Sequence, residues 1–145
     1  MSEVRIVFDL DDTLYPERQF ALSGFKAAGQ WARTAWDIEG LEGEMVRLFE
    51  AGHLGGLFKL ALAAHKPGYN PDDLEALVAA WRNHEPDIAL FDDAAWALEH
   101  FGEGGPLGLI TDGTASMQSA KVRALGLSER FAKVIMTDAL GGREF

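Results

Sequence analysis

The chain has 145 residues, a formal net charge of −10, 48% hydrophobic and 25% charged residues, and no cysteine. That hydrophobic share supports a folded core rather than disorder, and the acidity disfavours a nucleic-acid partner, whose phosphates need a basic face. Without cysteine, disulfides, thiolate catalysis and zinc–thiolate sites are excluded.

The first residues lack the basic-then-apolar layout of a secretory signal, because Asp9 cuts the apolar run short. No stretch approaches the roughly 18 apolar residues of a membrane span. The expectation is a cytoplasmic protein with no membrane partner. Val4–Phe8 reads as a short buried strand, rich in β-branched residues and followed by turn-forming Asp. From Glu17 to Glu85 the texture is helical, punctuated into about four helices by Gly40, the 52–56 segment and Pro67-Gly68. Within it, Asn70-Pro71-Asp72-Asp73 predicts a helix start: a capping Asn, a Pro suited to the first turn, and acids at the positive end.

After Pro86 the pattern changes. Asp92–Phe101 predicts a helix, Gly104-Gly105-Pro106 a turn, Leu107–Thr111 a second strand, Ala115–Leu125 a helix closed by Gly126, and Lys133–Thr137 a third strand. Strands alternating with helices predict an α/β fold with a parallel, Rossmann-like sheet and right-handed crossovers. The expected domains are an α/β core of residues 1–15 and 88–145, with an inserted helical bundle over 16–87.

Three carboxylates, Asp9, Asp11 and Asp12, crowd the end of the first strand. Like charges this close repel. A metal ion, backbone N–H groups or a reaction that uses the charge would offset the repulsion. An EF-hand loop is excluded, because Leu14 stands at its glycine position and Phe20 at its bidentate Glu position. At the second strand end, Thr111-Asp112-Gly113 turns into a helix. Gly113 permits a tight turn, and the helix N–H groups with the Thr111 hydroxyl offer an anion site. Carboxylates at one strand end and donors at the other suggest a cation-assisted phosphate site.

Asp9-Leu10-Asp11-Asp12-Thr13 matches the Asp-x-Asp-x-Thr signature of the haloacid dehalogenase-like (HAD) hydrolase superfamily. Thr111-Asp112-Gly113, with Gln118, Lys121 and Leu125-Gly126-Leu127, resembles that superfamily's second motif and following helix. The helical insert resembles its small helical cap. The resemblance implies Asp9 as a nucleophile forming an aspartyl-phosphate. It implies Asp11 as general acid and then base, and Thr13 as loop support. It implies Thr111, Asp112 and Gly113 around the phosphate, and Mg²⁺ on the Asp9 carboxylate and the Asp11 backbone carbonyl. Asp12 reads as a structural loop residue. Dehalogenase members lack a second acid at the place of Asp11, since halide leaves without a proton. The expected activity is therefore a Mg²⁺-dependent phosphomonoester hydrolase of a small phosphorylated metabolite. The alternatives are a truncated, non-catalytic HAD-like protein or interaction module, and a phosphotransferase or phosphomutase.

The superfamily also places a lysine, usually Lys-Pro, after a stretch resembling Gly141–Phe145, and then a strand ending in further acids. The sequence stops before both motifs. Lys121 and Lys133 read as solvated surface lysines rather than substitutes. The expected consequences are weak Mg²⁺ binding, low or absent turnover, and a first strand left as an edge that self-association or an exchanged element would cover, unless the chain is part of a longer protein. Trp31, Trp36 and His53 are candidates for lining a substrate pocket, the tryptophans reading first as packing residues.

Overall fold

The computed structural model describes residues 5–140. Its elements in chain order are β1 (Ile6–Phe8), α1 (Glu17–Trp36), α2 (Leu41–Glu50), α3 (Leu57–His65), α4 (Pro71–Arg82), α5 (Asp92–Gly102), β2 (Leu107–Thr111), α6 (Ala115–Ala124) and β3 (Lys133–Met136), followed by a 3-10 turn at Thr137–Leu140. The predicted elements are present, with ends shifted by a residue or two, as fraying termini allow. Val4 and the Gly141–Phe145 stretch lie outside the described residues. The chain divides into two compact units, residues 5–20 with 85–140, and Ala21–His84.

The first unit holds a parallel sheet in the order β1-β2-β3. Phe8 sits opposite Leu109 across β1 and β2, and Thr111 opposite Met136 across β2 and β3. All strands run the same way, so the Asp9 and Thr111 loops leave from the same end of the sheet, where open α/β sheets build their sites. On β2, Leu107, Leu109 and Thr111 are buried while Ile110 is exposed, the alternation of a strand with one covered face. The first strand departs from the buried expectation: Val7 is 54% exposed. Among the described residues β1 pairs on one side only, which leaves it an edge.

The second unit is helical. Its core gathers Phe25, Ala28, Leu41, Met45, Leu62 and Leu77, all essentially buried. Phe25 packs on Phe49 and Phe58 edge-on, with centroids 5.6 and 6.1 Å away. Two glycines inside α1 make room for neighbours. A Cβ at Gly24 would lie 2.4 Å from the Trp81 ring, and one at Gly29 2.7 Å from the Glu42 side chain. Trp31 and Trp36 meet edge to face at 4.6 Å and pack on this core, so they serve as packing residues. His53 lies in an exposed loop.

Helix α4 begins as the sequence predicts. The Asn70 side chain accepts from the Asp73 N–H at 2.9 Å, and Asp73 accepts from the Asn70 N–H at 3.0 Å, with Pro71 at the first position. This reciprocal pair satisfies two donors at the helix start. Lys66 Nζ adds an ion pair to Asp73 at 2.6 Å. Asn70→Ala should destabilise the chain by about 1 kcal/mol. Urea unfolding followed by tryptophan fluorescence measures it, and an unchanged midpoint would discount the cap.

Candidate active site

The site lies within the first unit and is made by two loops and one helix. The β1–α1 loop supplies Asp9, Asp11, Thr13 and Tyr15. The β2–α6 loop supplies Thr111, Asp112 and Gly113. Helix α6 supplies Gln118 and Lys121, three residues apart and therefore on one face.

Asp9 follows β1 directly and is exposed. Among the described residues, its carboxylate takes one hydrogen bond, from Thr13 Oγ1 to Oδ2 at 3.1 Å. The remaining lone pairs face solvent. Asp12 adopts a left-handed backbone, φ 56°, and its Oδ1 accepts from the Glu17 N–H at 2.8 Å. It therefore caps the first turn of α1, where a negative charge is favourable.

Asp11 is held far more firmly. Its Oδ1 accepts from Tyr15 Oη at 2.5 Å and from Lys121 Nζ at 2.6 Å, and its Oδ2 accepts from Gln118 Nε2 at 2.8 Å. Lys121 corrects the sequence expectation. Its side chain is 4% exposed, not solvated, and it pairs with an Asp11 side chain that is 20% exposed. Its ammonium also sits 4.5 Å from the Phe20 ring centroid, a cation–π contact in a desolvated place. Lys133 is exposed, as expected. The signal for Lys121 was its helical spacing from Gln118, Val122 and Leu125, a stripe that points inward. A lysine in that stripe asks for a buried acid.

Gln118 links the two loops. The same Nε2 donates to Thr111 Oγ1 at 2.6 Å. Because that hydroxyl already accepts a hydrogen bond, its own proton is directed elsewhere, which suits a donor to an incoming anion. Gly113 lets the loop pass over Gln118. Its φ is +125°, and a Cβ there would lie 3.2 Å from Gln118 Cδ and Oε1. The Asp112 carboxylate accepts from the Thr137 hydroxyl past the end of β3. The helix start is also partly engaged: the Ala115 N–H donates to Asp138 Oδ2 at 3.2 Å. Sequence reasoning did not anticipate Asp138.

Burial and the nearby charge shift two neighbours of Asp11. Partial burial, and then the Asp11 charge, push Glu17 up from the ordinary carboxylate range. Burial, and then the hydrogen bond to Asp11, push the Tyr15 phenol far above its ordinary 10.0.

A hard cation takes oxygen donors, and Mg²⁺ commonly uses one or two carboxylates with water and substrate phosphate oxygens filling the rest. The exposed Asp9 carboxylate fits that role. The Asp11 carboxylate does not, since both oxygens are occupied, which leaves its backbone carbonyl. Among the described residues no three acids or histidines converge on one point.

A Rossmann-like α/β sheet, with an acid loop and a Thr-Asp-Gly turn at the carboxyl ends of adjacent strands, defines the class of this protein. The chain belongs to the haloacid dehalogenase-like hydrolase family, whose sequence model matches residues 6–143. A curated relative, the ribulose-1,5-bisphosphate 5-phosphatase of Halopiger xanaduensis, is 29% identical over 96% of this chain and 64% of its own length. The chain thus spans less than two thirds of that relative. YfnB of Bacillus subtilis, proposed to be a HAD-type hydrolase and solved bound to magnesium, shares the fold with TM-score 0.59 at 18% identity, over 98% of this chain and 67% of that one. A Thermotoga maritima protein proposed to be a beta-phosphoglucomutase gives TM-score 0.63 at 15% identity, over 96% and 63%.

The Tyr15 geometry predicts a pH dependence. Above pH 10.0 the unfolded phenol ionises while the folded one stays neutral. The stabilising term is complete below that pH and is lost as pH rises beyond it, at up to about 1.4 kcal/mol per pH unit. In urea melts from pH 8 to 11, Tyr15→Phe should show a shallower alkaline loss than the native chain. Parallel curves would mean that Tyr15 is not the group responsible.

Proposed function

We propose that the chain acts as a Mg²⁺-dependent phosphomonoester hydrolase on a small cytosolic metabolite, through an aspartyl-phosphate. The observation that carries this reading is the second acid, Asp11, two residues after Asp9 and held by donors from the same loop and from α6. A phosphate ester leaves as an alkoxide that needs a proton, so a positioned second carboxylate has a task in ester cleavage. The phosphatase named among the relatives supports the substrate class.

Asp9 attacks phosphorus, and a new O–P bond forms as the ester P–O bond breaks. A proton on Asp11 passes to the departing oxygen. Water then attacks phosphorus, gives its proton to the Asp11 carboxylate, and breaks the Asp9–phosphorus bond, releasing inorganic phosphate. The carboxylate state of Asp11, with its three donors, is the one the second step uses. Thr111 donates its hydroxyl to the phosphate, and the Gly113 backbone admits it closely. Mg²⁺, when bound at Asp9 and the Asp11 carbonyl, lowers the repulsion between an anionic nucleophile and an anionic ester. These motifs meet only phosphate and metal, so the choice of metabolite falls to residues outside them.

A second copy over the β1 edge belongs to the same proposal, supported by the edge position of β1 among the described residues. A chain that stays monomeric in sedimentation at micromolar concentration would count against it.

Phosphate release from a panel of phosphorylated sugars, nucleotides and small acids tests the activity. Asp9→Asn should abolish turnover, and Asp11→Asn should slow it by roughly 10²–10⁴. Near-native turnover by Asp9→Asn would remove the covalent mechanism.

A further inference from the structure

Lys121 is the charged member of the three donors that hold Asp11, and it is buried. Burying an ammonium is costly unless it is paired. Here the pairing is complete: Asp11 Oδ1 lies at 2.6 Å, and the Phe20 and Tyr15 rings lie at 4.5 and 6.0 Å. The side chain is 4% exposed, and its ammonium is already engaged by the Asp11 carboxylate. A lysine that bound substrate phosphate would be expected beside Asp9 and Thr111 with its head open. This one is closed over by aromatic rings and directed at the second acid.

We infer that Lys121 is a positioning residue for Asp11, not a phosphate ligand. The inference rests on the phosphatase reading for its kinetic consequence and on geometry alone for the contact. The physical argument is one of degrees of freedom. Asp11 sits on a loop, and its side chain has two torsions. Tyr15, from the same loop, can follow the loop if it moves. Gln118 and Lys121 come from a helix 107 and 110 residues away in sequence, so they tie the acid to the frame of the sheet. Gln118 fixes Oδ2 and Lys121 fixes Oδ1. Two anchors on separate oxygens set the plane of the carboxyl group, where one would leave it free to turn about the remaining bond. The carboxyl plane decides which lone pair meets the leaving oxygen and, later, the attacking water.

The role separates kinetically from phosphate binding. Nitrophenolate departs without a proton, so attack by Asp9 on p-nitrophenyl phosphate does not need Asp11. Release of phosphate from Asp9 does need it, as base. Lys121→Met fills the aromatic cage without a charge. With p-nitrophenyl phosphate it should give a burst near one nitrophenolate per chain, then a steady rate roughly tenfold or more below native, a part of the 10²–10⁴ range of acid–base catalysis. KM should not rise. With an alkyl phosphate such as glycerol phosphate, no burst should occur and turnover should fall by a similar factor. A raised KM and a slowed burst would overturn the inference and make Lys121 a phosphate ligand.

A second measurement needs no turnover. Under reductive methylation with formaldehyde and borohydride, read by mass spectrometry, Lys121 of the native chain should stay unmodified while the exposed Lys59 and Lys133 react. Asp11→Asn should make Lys121 reactive. Protection of Lys121 with no turnover of either ester would sink the phosphatase reading and leave the contact standing. Methylation of native Lys121 at the rate of Lys59 would sink the contact itself.

Discussion

The Asp11 carboxylate is the point at which the separate parts of this unit meet. A loop from β1, a turn from β2 and a helix all send a group to it, directly or through Gln118. Three donors on two oxygens are close to what a carboxylate can accept with good geometry. Each donor is shared or buried. Tyr15 is fully buried, Lys121 nearly so, and Gln118 divides its Nε2 between Asp11 and Thr111. In a low-dielectric setting such networks are costly when half-made and stiff when complete. The contact is therefore a test of the whole local fold: Asp11 is satisfied only if β1, β2 and α6 are all in register.

The same network explains how a chain of net charge −10 tolerates Asp9, Asp11, Asp12 and Glu17 within nine positions. The charges are not treated alike. Asp12 is spent on the N-terminus of α1, and Asp11 on a buried cation. Asp9 keeps one neutral hydroxyl and stays open. Of the three crowded aspartates, the exposed one with lone pairs to spare is the one that can act as a nucleophile or hold a cation. The others are constrained by partners that make them structural or precisely aimed groups in the literal sense of hydrogen-bond geometry.

Much of the fold was legible because its signals are local. Asn70-Pro71 announces α4 through a box closed within three residues. Gly126, at φ +70°, ends α6 as a residue without Cβ does. The two strand-end motifs are contiguous in sequence, and parallel pairing needs only that β1 and β2 run the same way. The partners inside the site were not legible in this manner. Nothing near Lys121 marks it as buried except the phase of its helix, and the acid that makes its burial tolerable lies 110 residues earlier. A lysine is usually outside, so the base rate pointed away from the observed place. Asp138 was hidden for a related reason: it reaches Ala115 from beyond β3, across a turn whose shape the sequence does not state.

The first turn of α1 draws these points together. Asp12 holds the Glu17 N–H, Gln19 Oε1 accepts from the Ala89 N–H at 2.9 Å, and Phe20 lies under the Lys121 ammonium. Helix α1 therefore starts as a continuation of the acid loop, with three successive ties within the sheet-bearing unit in nine residues. A helix is a stiff element over its first turns, because each residue added makes one further hydrogen bond. Any displacement of the first turn of α1 would disturb Phe20, and through it the packing that keeps Lys121 dry against Asp11. The position of the acid is in this way coupled to the helix start by contact rather than by sequence proximity. The residues from Asp9 to Phe20 act as one constrained segment, with the nucleophile candidate at its open end.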